Sequence, residues 1–146
     1  MWLYQGEEFT SEMIEDWVGF VYLITDQSNN MKYVGKKLLT SKRKLPPLKG
    51  KKRRRTVVKE TDWMKYYGSS EEVKLMVEEK GADNFHREIL TLCKSKGELG
   101  YLEAKYQFEH DVLLRDDYYN GIIQCKIHRN HVRSLKNSWQ IHFNRV

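Results

Sequence analysis

Residues 20–36 read FVYLITDQSNNMKYVGK and contain two short apolar segments that each carry a tyrosine. The surrounding stretches, Val18 to Thr25 and Met31 to Leu38, are rich in the β-branched and aromatic residues that favour strands. Between them, the polar run Asp26 to Asn30 has the composition of a turn. This arrangement predicts two antiparallel strands joined as a hairpin.

Two longer elements follow further along the chain. Asn84 to Cys93 alternates in the manner of a third strand, and Ser95 with Glu98 forms a capping box for a helix from Lys96 to Leu114. Shorter predicted elements are a helix over 62–67, a helix from Ser69 or Ser70 to Gly81, and a strand over 122–127. The sequence therefore predicts an α/β protein of the α+β type, in which helices flank a small three-stranded antiparallel sheet.

Length and composition limit the class of protein. The chain has 146 residues, which is enough for one domain, and we expect that domain over 1–121 with a basic C-terminal extension over 122–146. No apolar run approaches the roughly 18–20 residues that span a bilayer, and the N-terminus lacks the pattern of a secretion signal. Two cysteines, Cys93 and Cys125, are too few for a disulfide framework. These features favour a cytoplasmic protein without a membrane partner.

Positive charge is concentrated in one part of the chain. From Gln27 no acidic residue occurs before Glu60, and this stretch holds 13 of the 26 lysines and arginines. We interpret 36–59 as a basic loop, with a long irregular section from Thr40 to Thr56. The positive electrostatic field of this loop attracts polyanions and predicts DNA as the partner, although runs of Lys and Arg also contribute to solubility or targeting. The predicted DNA-binding residues are Gly35, Lys37, Lys42, Lys44, Lys51, Lys52, Arg53, Arg54 and Arg55.

A lone carboxylate occupies an apolar stripe of the predicted long helix. Glu103 lies one turn from both Leu99 and Tyr106, and His110 lies on the same face two turns further. A carboxylate directed into a packed face needs a cation or a metal ion, whereas one at the stripe edge reaches water. The opposite stripe, which predicts packing on a second face, contains Tyr101, Ala104, Phe108 and Val112.

Taken in order, these residues resemble the GIY-YIG nuclease superfamily. Phe20-Val21-Tyr22 is similar to its first motif and Tyr33-Val34-Gly35 to its second. The arginine, helical glutamate and asparagine of the family are matched by Arg43, Glu103 and Asn120. The resemblance covers roughly Val18 to Gly121 and is greatest to small bacteriophage-encoded members, some of which resemble homing endonucleases. For a phage protein, the expected location is the host cytoplasm.

The chain departs from the family pattern at two places. Phe20 stands where the first motif usually has glycine, with Gly19 one position earlier. The region where the family often has a histidine contains Pro46 and Pro47. The choice of arginine therefore stays open between Arg43 and the run Arg53, Arg54 and Arg55.

The resemblance implies a metal-dependent DNA endonuclease that hydrolyses phosphodiester bonds. In that chemistry Glu103 holds Mg²⁺ or Mn²⁺, which acts as a Lewis acid at the phosphate. Tyr22 is the implied general base, and Arg43 holds the scissile phosphate through its forked guanidinium. Asn120 braces the site, and Tyr33 of the second motif belongs to the catalytic set.

A tyrosine base needs a neighbouring cation, since its free pKa is about 10. Strict strand alternation places Lys37 on the face of Tyr33, whereas a bulge at Gly35 would bring Lys36 there. Both lysines stay candidates, and Lys36 is preferred.

Two other functions fit parts of the sequence. A non-catalytic nucleic-acid-binding module explains the basic residues but does not explain why Glu103 lies on an apolar stripe. A zinc site could form from Cys125, His128 and His131 with Cys93 as a fourth ligand, although zinc sites usually show paired ligands at both ends. The oligomeric state stays open, because one active site cuts one strand and double-strand cleavage needs a dimer or sequential events.

Overall fold

The computed structural model describes residues 1–135 of the chain. The strands are β1 (Trp2–Tyr4), β2 (Glu7–Glu8), β3 (Gly19–Asp26), β4 (Met31–Leu38), β5 (Thr40–Leu45), β6 (Arg55–Glu60) and β7 (Phe85–Cys93). The α-helices are α1 (Glu71–Lys80) and α2 (Lys96–Glu109), and short 3-10 helices cover Ser11–Met13, Trp63–Lys65, Ala82–Asn84 and Arg129–Leu135. The predicted α+β class is confirmed.

The main sheet has five strands in the order β2-β1-β7-β3-β4. Its antiparallel part, β7-β3-β4, is the predicted three-stranded unit with β3 in the middle. β1 runs parallel to β7 with Trp2 opposite Arg87, and β2 pairs with β1. The predicted number of three strands is therefore wrong. The N-terminal segment joins the sheet because the Trp2 ring is buried and its indole N–H donates to the Trp63 carbonyl at 2.8 Å.

Strand β3 separates two apolar layers. One layer is built around the buried side chains of Trp2, Phe20, Tyr22, Ile24 and Trp63. The other lies under α2 and contains Val21, Val34, Leu99, Val112 and Tyr118. Because successive strand residues point to opposite faces, the tyrosine of the first motif and the long helix belong to different layers.

The prediction of a basic loop over 36–59, irregular from Thr40 to Thr56, is wrong at both ends, and between Thr40 and Thr56 only residues 46–54 lie outside the strands. Its first residues complete β4, and β5 pairs with β6 as a separate antiparallel ribbon from Thr40 opposite Glu60 to Leu45 opposite Arg55. The ribbon is tied to β4 at its base, where the Thr61 hydroxyl donates to the Leu38 carbonyl at 2.6 Å. The β-branched run Thr56, Val57 and Val58 favours a strand in β6, whereas the charge and the two prolines favour a loop.

Three predictions for the C-terminal part of the chain are also wrong. The long helix begins at Lys96 as predicted but ends at Glu109 rather than Leu114, because Asp111 adopts a left-handed conformation with φ 49°. Phe108, placed on a packed stripe, is instead 60% exposed. Residues 122–127 form no strand, since the chain leaves the edge of β4 after Asn120. Within residues 1–135, no helix is long and apolar enough to cross a bilayer.

The segment Arg129–Leu135 packs against the first turn of α2. The Ser134 hydroxyl donates to the buried Glu98 carboxylate, whose other oxygen accepts from the Lys94 backbone N–H at 3.0 Å. Gly97 permits this approach, since a Cβ there would lie 2.6 Å from the His131 Cβ. Part of the expected extension therefore belongs to the packed structure, and residues 136–146 lie outside the described range.

A buried carboxylate ties the hairpin turn to α1 and to the chain beyond α2. Asp26 is fully buried at the end of β3 and accepts from Lys80 at 2.6 Å and from Tyr119 at 2.8 Å. Ser28 and Asn84 each donate to it at 2.7 Å. Burial alone would raise the pKa of Asp26, but these hydrogen bonds outweigh it and hold the pKa well below its ordinary value.

We expect Asp26→Asn to lower the free energy of unfolding at neutral pH by about 3 kcal/mol, because Lys80 would lose its buried partner. Since the folded-state pKa is depressed, this stabilisation is present above the unfolded pKa of about 3.9 and is lost as the pH falls towards the folded value. Urea unfolding at pH 7 and below pH 4 measures the difference. Asp83→Asn, at an exposed position, is the control, and an equal effect of both variants would contradict the prediction.

Candidate active site

The two motif tyrosines meet at one glycine. Tyr22 on β3 lies opposite Gly35 on β4, and its ring crosses the position that a side chain at residue 35 would occupy. A Cβ on residue 35 would lie 2.4 Å from the Tyr22 Oη and 3.0 Å from the Tyr33 ring. Gly35 is therefore required by the close approach of the two aromatic side chains.

The Tyr22 ring sits in an aromatic cage. Its centroid lies 5.4 Å from that of Trp2, 5.9 Å from that of Tyr66 and 6.2 Å from that of Tyr33. The side chain is fully buried, and within residues 1–135 its hydroxyl has no hydrogen-bond partner. Burial raises the pKa of Tyr22 well above 10, and the Tyr66 and Tyr33 hydroxyls and the Glu103 carboxylate raise it further. The phenol is therefore protonated at neutral pH.

Tyr33 occupies a less enclosed position beside it. Its hydroxyl lies 3.1 Å from the Ser69 hydroxyl, which follows Gly68 at the end of the segment that covers Tyr22. Burial raises the pKa of Tyr33, whereas the contact with Ser69 opposes that change.

Glu103 lies on α2 beside the Lys36 side chain of β4. The Lys36 Nζ is 3.8 Å from the Glu103 Oε1, and the Glu103 side chain is only 14% exposed. Burial raises the pKa of this carboxyl, while the ammonium and the backbone of Lys36 oppose the change. The helix thus holds a largely buried carboxylate next to the ammonium of Lys36, and the charge of that carboxylate reaches the motif tyrosines.

The neighbouring lysine, Lys37, lies on the other face of β4. β4 pairs with β3 without a break, so Tyr33, Gly35 and Lys37 share one face. The Lys37 Nζ lies 2.7 Å from the Asp62 carboxylate and 4.3 Å from the centre of the Tyr66 ring. β3 does have a one-residue shift of register, but this shift is in its pairing with β7, between Val21 and Tyr22. The structure therefore pairs Lys36 with Glu103 and Lys37 with the ring beside Tyr22.

Two amides fix the backbone of β4 at the centre of the site. The Asn120 Oδ1 accepts from the Val34 N–H at 3.0 Å, and its Nδ2 donates to the Val34 carbonyl at 2.8 Å. Gln107 of α2 donates to the same carbonyl at 3.0 Å. The sequence analysis missed Gln107, although a polar residue on a well-packed helix, four residues after Glu103, was an available signal.

A buried arginine positions the segment over Tyr22. Arg87 of β7 donates to the backbone carbonyls of Met64 and Tyr66, each at 2.9 Å. Its guanidinium lies 4.8 Å from the Trp2 ring and 4.0 Å from the Tyr67 ring. Burial lowers the pKa of Arg87 from its usual value. The sequence analysis missed Arg87, although an arginine between Phe85 and Ile89 on an apolar strand face was an available signal.

Arg43 lies away from this cluster. It is exposed in the middle of β5, opposite Val57 of β6. Within residues 1–135, no hydrogen bond or ion pair joins it to Tyr22, Tyr33, Lys36 or Glu103. The other predicted DNA contacts on the ribbon are likewise exposed: Lys42, Lys44, Lys51, Lys52, Arg53, Arg54 and Arg55.

The cysteines and histidines considered for zinc do not converge. Cys93 is buried, and burial together with Glu98 raises the pKa of its thiol to about 12, whereas Cys125 is exposed. In the part of the chain that the structure describes, no three His, Cys, Asp or Glu side chains are grouped so that they could hold a metal ion.

Comparison with protein families adds independent information to this geometry. Residues 2–123 match a family described as "Putative endonuclease segE, GIY-YIG domain". The matched range contains both motif tyrosines, Glu103 and Asn120. No curated protein and no solved structure matches the chain.

We expect Gly35→Ala to lower the free energy of unfolding by about 1–3 kcal/mol, because the new Cβ would overlap the Tyr22 hydroxyl. Gly121→Ala is the matched control, since a Cβ at that position has no neighbour within 4 Å. Chemical denaturation of both variants measures the effect. Equal stability of the two variants would show that Tyr22 does not need the space above residue 35.

Proposed function

The chain belongs to the GIY-YIG endonuclease family, and from this membership we propose that it is a metal-dependent endonuclease that hydrolyses phosphodiester bonds in DNA. The observation that carries the proposal is the fully buried Tyr22 hydroxyl, which lies beside the Tyr66 hydroxyl without a well-formed hydrogen bond within residues 1–135 and is in the field of Glu103. An unpaired buried hydroxyl costs about 1–3 kcal/mol. A hydroxyl that costs stability in this way suggests a functional role, and membership of an endonuclease family suggests that the role is catalytic.

Glu103 fits a hydrated divalent cation. It is one hard oxygen ligand whose side chain is largely buried, and within residues 1–135 its ion-pair partner is Lys36 at 3.8 Å. Mg²⁺ keeps most of its waters and needs one or two protein carboxylates when phosphate oxygens complete its shell. When bound there, the ion would supply Lewis acidity at the phosphate and a positive field at the neighbouring phenols. We propose Glu103 as the residue that holds Mg²⁺ or Mn²⁺.

Tyr22 is the proposed general base. Its proton is retained at neutral pH because burial and the negative charge of Glu103 both disfavour the phenolate. A cation bound at Glu103 would neutralise that negative charge and so remove its contribution to the raised pKa of Tyr22. The hydroxyl has no exposed surface in this conformation, so it reaches a water only when the segment that contains Tyr66 and Gly68 shifts.

The other residues orient the reacting groups. Lys36 is the cation closest to Glu103, and we assign the contact with the scissile phosphate to it rather than to the distant Arg43. Lys37 lies against the Tyr66 ring on the same face as Tyr33, and this contact holds the ring that covers Tyr22. Asn120 holds the β4 backbone in place through Val34.

We expect supercoiled plasmid to be cut in the presence of Mg²⁺ and not in EDTA. Glu103→Gln should lower the rate by about 100-fold or more, because the metal ligand is lost. Glu109→Gln on the same helix, whose carboxylate is exposed and 3.9 Å from Lys105, is the matched control and should cut normally. DNA binding without cutting, unchanged by either substitution, would identify a non-catalytic binding module instead.

The cleavage rate at saturating Mg²⁺ should rise with pH from about pH 6.5 to 9, because the phenolate fraction of a base with a raised pKa increases tenfold per pH unit. Tyr22→Phe should be slow and independent of pH over this range. Tyr101→Phe, on the half-buried surface of α2, is the control and should keep the slope. A Tyr22→Phe enzyme that retains the slope would assign the base to another group.

A further inference from the structure

The β5–β6 ribbon, residues 40–60, stands apart from the main sheet. Its strands pair with each other and with no strand of the main sheet. All six residues of β6 are exposed, and only the two end residues of β5 are partly covered. Val57 and Val58, which point to opposite faces, are 40% and 57% exposed. A two-stranded ribbon with both faces in water is marginally stable by itself, so this one is suited to a partner.

The charge of the ribbon defines the chemistry of that partner. Residues 40–60 contain ten lysines and arginines and one acid, Glu60. Glu60 is engaged at the base of the ribbon, where it accepts from the Ser11 hydroxyl and the Trp63 indole, each at 2.7 Å. Within residues 1–135, none of the ten cations lies within ion-pair distance of a carboxylate. The uncompensated positive charge fits a polyanion.

The two faces of the ribbon differ in side-chain type. Directly opposed residues of an antiparallel pair share a face. One face, here called the arginine face, contains Ser41, Arg43 and Leu45 opposite Lys59, Val57 and Arg55. The lysine face contains Thr40, Lys42 and Lys44 opposite Glu60, Val58 and Thr56. Forked guanidinium groups read guanine edges and a valine suits the thymine methyl, whereas lysine and threonine suit phosphates.

We propose that the ribbon lies in the major groove of duplex DNA with its arginine face against the base edges, an inference that rests on the proposed nuclease function. The major groove, about 12 Å wide, admits a two-stranded ribbon, and six residue pairs span about 20 Å along it. Arg43, directly opposite Val57, and Arg55, two residues before Val57 on the same strand, then contact bases. The lysine face, with Lys42 and Lys44, faces away from the groove floor towards the phosphates.

The attachment of the ribbon brings this contact to the cleavage site. β5 continues directly from β4, the strand that contains Gly35 and Lys36. Its base is closed by the Thr61 N–H, which donates to the Leu39 carbonyl at 2.9 Å, and by the ion pair between Lys37 and Asp62. DNA held by the ribbon is therefore anchored to the same strand that contributes to the active site.

The tip of the ribbon offers a second anionic contact. A cavity of ≈ 390 Å³ is lined there by Leu48, Lys51, Lys52, Arg53, Arg54 and Arg55. The positive charges of Lys51, Lys52, Arg53 and Arg54 around this cavity fit the phosphates at the edge of the groove.

The inference is tested by filling the major groove without changing the backbone charge. Binding of the full chain is measured in EDTA to a mixed-sequence duplex and to the same duplex in which every cytosine is replaced by glucosylated 5-hydroxymethylcytosine. We expect the substituted duplex to bind about 10-fold more weakly or worse, as expected when base contacts are lost. Netropsin, which fills the minor groove, should leave the affinity unchanged. Equal affinity for both duplexes, or displacement by netropsin, would overturn the inference.

Two charge-matched double variants separate the faces. Arg43→Ala with Arg55→Ala should abolish the preference for the unsubstituted duplex. Lys42→Ala with Lys44→Ala removes the same charge and should weaken binding to both duplexes about equally, so that the preference remains. The reverse pattern would overturn the assignment of the faces. Groove-selective binding without Mg²⁺-dependent cleavage would refute the nuclease proposal alone, whereas cleavage with equal affinity for both duplexes would refute the ribbon inference alone.

Discussion

Within residues 1–135, β4 is the edge strand of the main sheet, so the backbone groups along its outer side need partners other than a strand. The chain supplies them one after another. Lys32 accepts from the Tyr119 N–H at 2.7 Å and donates to the Asp117 carbonyl at 2.9 Å. Val34 is satisfied by Asn120 and Gln107, and the backbone of Lys36 stabilises the Glu103 carboxylate. The proposed metal ligand is thus the next in a row of polar groups that protect a sheet edge.

This edge is also where the two layers of the protein meet. Tyr22, Tyr33 and Lys37 lie in the aromatic layer, whereas Lys36 and Glu103 lie on the side covered by α2. In the middle of the sheet, such groups would be separated by the backbone. At an edge strand they are close enough for the charge of Glu103 to raise the pKa of both tyrosines. The site therefore depends on the position of β4 at the edge of the sheet.

The parts of the fold with a local period could be predicted from the sequence. The β3–β4 hairpin follows from alternation around a polar turn, and α1 from the Ser70 cap and Gly81. β1 and β2 could not be predicted, because strands of two or three residues carry no period and depend on the burial of Trp2. The ribbon was missed since ten positive charges in residues 40–60 obscured its strand propensity. Sequence order also could not show that Arg43 stands on that ribbon, away from Glu103.

The buried state of Tyr22 links stability to the chemistry proposed for it. Arg87 holds the carbonyls of Met64 and Tyr66 from below, and the Tyr66 ring closes the cage around the phenol. A closed cage protects the core but raises the pKa of the hydroxyl, so the conformation that is best packed is the least reactive. Lys37 contacts the same Tyr66 ring and is paired with Asp62 at the base of the ribbon. A reactive phenol therefore requires the segment with Tyr66 to move, and Lys37 resists that movement because it ties the Tyr66 ring to Asp62 at the base of the ribbon.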